Sequence, residues 1–304
     1  MAPEHYGNEE IVAQHYLVVF LDVLGQRSIL RGIKNLPTNE DEEKDFIEKI
    51  KKTYGAVTAL RQGFKNYFEG MKSHIPDVIR VAPGLREEYF AAQKCEAYTY
   101  SFSDSVIIAV PLLNKDDNCT AINGVFSALL AVAGACTLAF ATGICLRGGL
   151  DVGVAMPIEG EEIYGPALER AYLLESNLAE YPRFVVGHEL MQYLDWVEQQ
   201  QSQTNLAKIS KHIATICKKM VIRDTDGLLM LDFLGPITKE TMDQSISTDE
   251  IQKAMNFILS QHKKFFELEN HKLASRYYRL LKYFSSRAEL WGIEPLHVLF
   301  GKSN

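Results

Sequence analysis

From Asn118 to Leu146 the chain carries no charged side chain, and Val125–Leu146 reads VFSALLAVAGACTLAFATGICL. A run of this length must leave water, and it is long enough to span a bilayer. Two features turn it inward. It is rich in Ala, Ser, Thr and Gly rather than Leu and Ile, and no aromatic-plus-basic belt flanks it. Gly143 offers a break, after which ICLRGGLDVGVAM takes on strand composition. The expectation is a buried helix near 119–142 running into a strand near 144–152, with no stable membrane insertion.

The remaining chain supplies ample core material. Of 304 residues, 47% are hydrophobic and 23% charged, enough for one large domain or two modest ones. The formal charge is −7, from 32 basic and 39 acidic residues. This excludes a protein that coats the phosphate backbone of nucleic acid, but leaves room for a local basic pocket for a small polyphosphate. The five cysteines show no C-x-x-C pair, so a zinc site or disulfide framework is not expected. Met1–Glu10 lacks the layout of a signal peptide, and a cytoplasmic location follows as the expectation.

Local patterns divide the chain further. Tyr16–Leu24 (YLVVFLDVL) is a continuous apolar strand holding one acid, Asp22, and closed by Gly25. The acidic run Asn39–Glu43 suits a helix N-terminus, and helical periodicity follows it. Ala97–Pro111 reads as two strands around a tight turn at Ser103-Asp104-Ser105. A helix is expected at Pro166–Leu178 and a strand at Tyr181–Val186. Beyond these, Glu189–Gln203 is amphipathic, Val221–Phe233 reads as a hairpin turning at Asp226-Gly227, and Thr248–Arg287 gives one or two long helices. The sum is an α+β fold with helices on a mostly antiparallel sheet.

Asp22 and Asp104 carry the chemistry. Each is an acid inside an apolar strand segment, where an ionised carboxylate is costly unless a cation compensates it. Two such carboxylates on neighbouring strands repel, and a hard divalent ion resolves the repulsion. Asp104, between two serines, equally suits a carboxylate that caps turn N–H groups.

Four motifs in order carry a family resemblance. Phe20-Leu21-Asp22-Val23-Leu24-Gly25 resembles the first metal-binding strand of the class III nucleotidyl cyclases, and Phe102-Ser103-Asp104-Ser105 their hairpin with the second metal Asp. Arg147-Gly148-Gly149-Leu150-Asp151-Val152-Gly153 resembles the next central strand, and Ile163-Tyr164-Gly165 through Leu174-Glu175 the segment leading into their catalytic helix. The likeness spans about residues 15–190. It implies a cyclase-like catalytic domain over 1–190 with an insertion at about 34–95, and a helical elaboration over 191–304 packed on the same domain. It also implies two divalent ions per site, Mn²⁺ or Mg²⁺, held by Asp22, Asp104 and the Val23 carbonyl. The substrate would be a nucleoside triphosphate, with sites between the two subunits of a homodimer.

The departures narrow the expectation. Glu169 stands where the family carries an Asn that orients the ribose, and Leu173 where an Arg stabilises the transition state. Arg170, Arg147 and Arg183 are the candidate replacements, each equally able to serve as an ordinary salt-bridged arginine. Tyr100 and Glu162 stand at the base-reading positions, and Gly25 completes the substrate-binding set. A phenol and a carboxylate offer one donor and one acceptor, and their bulk suits a pyrimidine. Tyr100 would equally serve as a strand aromatic on the core, and Glu162 as a loop acid. With GPALERAYLLE and EYPRFVV, these departures resemble the bacterial anti-phage pyrimidine cyclases of the Pycsar type. Those make cyclic UMP or cyclic CMP, and matching of donor and acceptor favours uracil. The alternative is a non-catalytic module that keeps the cyclase fold.

Overall fold

The computed structural model describes residues 13–33, 36–71, 75–92, 95–112, 119–158 and 162–295. Met1–Glu10, the segment considered above for a signal peptide, lies outside them. The first strand, β1 (Gln14–Val23), sends alternate side chains to opposite faces, as strand geometry requires. Leu17, Val19, Leu21 and Val23 enter the larger core, while Tyr16 and Val18 enter a smaller one on the other face.

Three helices follow: α1 (Gln26–Arg31), α2 (Glu40–Gly70) and α3 (Arg86–Ala92). The Asn39 side chain accepts the Glu42 N–H to cap α2, and four acids in its first turn complement the positive helix end. The hairpin β2 (Tyr98–Phe102) and β3 (Ser105–Pro111) leads into α4 (Cys119–Ala141) and then β4 (Leu146–Ile158). Along α4, Ala121–Ala141 is long and apolar enough to cross a bilayer, and 89% of its most apolar window is buried within the protein. It packs against α2 and the sheet.

The second half adds β5 (Glu162–Tyr164), α5 (Pro166–Leu173), β6 (Phe184–Val186), α6 (His188–Gln199), α7 (Asn205–Lys219), β7 (Val221–Arg223) and β8 (Leu229–Leu231). It closes with α8 (Pro236–Met242), α9 (Thr248–Glu267) and α10 (His271–Arg287). The eight strands form one sheet in the order β2-β3-β1-β4-β6-β8-β7, with β5 paired to β4. Among these pairs only β4–β6 is parallel. The molecule is therefore a mixed α+β protein with a mostly antiparallel sheet, flanking helices and C-terminal helices.

Two elements differ from the sequence expectation, and a third resolves an alternative that it left open. The helix expected at Pro166–Leu178 is α-helical only to Leu173 and continues as a π-helical turn over Leu174–Leu178, closed by the Ala179 N–H to the Leu174 carbonyl at 2.9 Å. The strand expected from Tyr181 begins only at Phe184; just before it the Arg183 carbonyl accepts the Gly148 N–H of β4 at 2.9 Å, while the Tyr181 and Arg183 side chains bond to Asp224. The chain between Thr248 and Arg287 is two helices, broken at Glu269 (φ 55°) and restarted by Asn270, whose side chain accepts the Leu273 N–H.

Candidate active site

Asp22 occupies the end of β1, where it pairs with Ser105 of β3 and Arg147 of β4. Its side chain shares a face with Val18 and Phe20, the face of the smaller core. Asp104 precedes Ser105 in the hairpin turn, which Ser103 tightens with a left-handed φ of 56°. The Val23 N–H donates to the Asp104 carbonyl at 3.2 Å, fastening the two acidic positions to one another. Both residues are nearly buried, at 7% and 8% exposure. Immediately after, the Leu24 N–H donates to the Cys145 carbonyl at 2.9 Å, and Gly25 turns the chain into α1 with φ 89°.

Arg147 faces Asp22 from β4. Its Nη2 stands 3.5 Å from Asp22 Oδ2, while Nε makes an ion pair with the buried Glu175. Glu175 arrives from the π-helical turn. That turn lies directly on β4 because Gly149 has no side chain; a Cβ there would collide with the Ala171 carbonyl and the Leu174 side chain. In the sequence Glu175 stands out only as the end of the Ile163–Glu175 motif. Its role depends on this close helix–strand contact.

Asp151, four residues along the same face of β4, forms a second charged cluster. Its Oδ1 accepts the N–H groups of Val152 and Leu190, both at 2.9 Å, and so caps α6 from another element. Arg170 brings Nε to 3.3 Å from Asp151 Oδ2, and its Nη2 donates to the Val152 carbonyl at 2.7 Å. Burial pushes the Asp151 carboxyl up, opposed by those N–H bonds and by Arg170. The period of two along LRGGLDVGV places Asp151 on the Arg147 face, a signal the sequence contained and the motif reading did not use.

The proposed site residues therefore separate. Asp22, Val23, Asp104, Gly25 and Arg147 meet at one end of the sheet. Arg170 is held at Asp151, roughly 13 Å along β4 from Arg147 at strand rise. Arg183 requires a correction. Its side chain is fully buried and committed to Asp224 and Asp226, with Nη2 donating to the Leu178 carbonyl at 2.8 Å. This chain's Arg183 braces the β7–β8 hairpin rather than facing the aspartates. Tyr100 is packed in the smaller core beside Ile107 in the row of Phe20, and burial raises its phenol pKa. Glu162 is exposed on β5 opposite Ile158, in a different register row.

The face bearing Asp22 is only partly covered. Phe20, Phe102, Tyr164, Leu168, Glu169 and Tyr172 line an open cavity of about 700 Å³ there. Phe102 is 78% exposed, and Leu173 is also exposed. Among the described residues no group of three or more His, Cys, Asp or Glu side chains converges to hold a metal alone. A two-carboxylate site with a neighbouring carbonyl fits a hard cation that takes its remaining ligands from substrate oxygens or water. No protein-family model and no curated protein matches the chain.

Proposed function

We propose that the chain is a metal-dependent pyrimidine nucleotide cyclase that converts UTP or CTP to the 3′,5′-cyclic monophosphate and pyrophosphate. The observation that carries this reading is the junction of Asp22 and Asp104, two nearly buried acids fixed at the ends of neighbouring antiparallel strands. The strand order β2-β3-β1-β4, with α2 and α4 packed on the larger-core face, supports it. Divalent ions bound there would acidify the ribose 3′-hydroxyl and offset charge on the phosphates. Asp22 and Asp104 would hold that charge in place, and Arg147 would neutralise a phosphate oxygen beside them. The 3′-hydroxyl would lose its proton to water, its oxygen would attack the α-phosphorus, and the bond from that phosphorus to the bridging oxygen would break to release pyrophosphate. The exposed aromatic face around Phe102 and Tyr172 supports a homodimer, whose second subunit would supply cationic groups such as Arg170 that lie away from the aspartates of their own chain. Following the resemblance, the cyclic product would act as a second messenger in cytoplasmic anti-phage defence.

One observation favours a second reading, a non-catalytic nucleotide-binding or dimerisation module. Arg147 already compensates Asp22, and Leu173 is exposed where the resemblance expects an arginine. The test is incubation of the purified chain with each of the four ribonucleoside triphosphates and Mn²⁺, with detection of cyclic product and pyrophosphate. Turnover of UTP or CTP, abolished by Asp22→Ala and by Asp104→Ala in folded protein, is expected. No turnover of any triphosphate sinks the cyclase reading, and turnover of ATP alone sinks the pyrimidine assignment.

A further inference from the structure

A second groove, of about 620 Å³, runs between α2 and the edge strand β2 on the opposite side of the hairpin from the exposed aromatic face. On the α2 wall, Thr58, Arg61 and Lys65 follow one another at helical spacing and share a face. On the hairpin wall, Thr99 and Ser101 share one face of β2 and Ser103 follows in the turn, so that three hydroxyl residues line this side. Asp104 stands at one end of the groove and is the one carboxylate among its lining residues. Among the described residues, neither Arg61 nor Lys65 forms an ion pair. Two uncompensated cations facing a hydroxyl row form a local exception in a chain of net charge −7.

Groups of this kind recognise oxyanions. An arginine offers a fork of donors, a lysine a mobile point charge, and hydroxyls reorient to donate. The elongated shape is as informative as the charge. Thr58 and Lys65 lie roughly 10 Å apart along the helix axis at 1.5 Å per residue, which suits a chain of linked phosphates better than a single one. Asp104 repels such a chain from the near end and so assigns it to the Arg61–Lys65 half.

We propose that the Arg61–Lys65 half of this groove, beyond the end that adjoins Asp104, binds a condensed-phosphate chain, either free inorganic polyphosphate or the tail of a nucleotide. The test uses the full chain in EDTA, so that metal-dependent binding at Asp22 and Asp104 makes no contribution. Isothermal titration with inorganic tripolyphosphate and, in a separate arm, with ATP should show saturable binding that weakens as salt rises. The double variant Arg61→Gln/Lys65→Gln, shown folded by circular dichroism, should bind at least about tenfold more weakly, since each charge-assisted bond contributes about that factor. Arg61→Lys/Lys65→Arg should retain most of the affinity, and Asp22→Asn should leave it unchanged. Binding of tripolyphosphate identifies free polyphosphate as sufficient; binding of ATP alone, with the same dependence on Arg61 and Lys65, assigns the groove to nucleotide. The proposal is overturned if neither anion binds, or if the double neutral variant binds as the parent does. Because no metal or turnover is involved, a failed cyclase assay leaves this result standing.

Discussion

At the residue scale, Arg147 decides how Asp22 behaves. The guanidinium bridges Asp22 and the buried Glu175, so a cation arriving at Asp22 must compete with an arginine already in place. Neutralising Glu175 together with Arg147 avoids leaving Glu175 as a buried charge without its arginine, and leaves Asp22 to the incoming cation. In Arg147→Met/Glu175→Gln, Mn²⁺ should bind on the order of tenfold more tightly, a discounted share of the Coulomb energy for a pair that water partly screens. Titration followed by Mn²⁺ electron paramagnetic resonance measures this directly; unchanged or weaker affinity would remove Arg147 as a competitor. Asp22 was legible in the sequence because an acid inside YLVVFLDVL has no reason to be there without compensation. Arg183, in YPRFVV, looked equivalent to Arg147. The difference lies in partners some forty residues further on, Asp224 and Asp226, which no local pattern pairs with it.

At the element scale, the β7–β8 hairpin shows what those partners accomplish. Strands of three residues make few ladder bonds and are marginal by themselves. Arg183 and Arg279 fasten the turn through Asp224 and Asp226, and the Tyr181 ring lies within 4.8 and 4.5 Å of the two guanidinium carbons. The hydrogen bond from Arg183 holds the Asp226 carboxyl well below the usual carboxylate range; burial opposes this, and Arg279 adds to it. Because the folded pKa lies below the unfolded one, the contribution is complete above about pH 5 and is lost progressively as pH falls further. Asp226→Asn should therefore cost roughly 1 kcal/mol at pH 7, allowing for partial exposure, and the difference should narrow between about pH 5 and pH 2. Urea unfolding across that range is the measurement, and a pH-independent difference would exclude the ion pair as its source. The turn at Asp226-Gly227 could be read from sequence; the brief strands and the π-helical turn at Leu174 could not, because tertiary contacts set their limits.

At the scale of the whole molecule, the sheet is unevenly covered. Its larger-core face is largely covered by α2, α4 and the C-terminal helices, whereas α5 covers only part of the other face and leaves Phe102, Tyr164 and Tyr172 in water. Exposed aromatics around a cavity mark an association surface. The chain should sediment as a dimer at micromolar concentration, and Phe102→Glu/Tyr172→Glu should raise the dissociation constant at least about tenfold without loss of helical signal. A monomeric parent in analytical ultracentrifugation would refute this. The sequence by itself determined the buried helix, the antiparallel hairpin, the capped α2 and the two exceptional aspartates. Each of these follows from near neighbours along the chain, through periodicity, capping or the cost of a charge among apolar residues. Only the tertiary structure decided which arginines face those aspartates, that Glu175 secures Arg147, and that Tyr100 and Glu162 lie in different register rows. Those outcomes depend on strand register and on contacts between distant segments, where a shift of one residue turns a side chain to the opposite face.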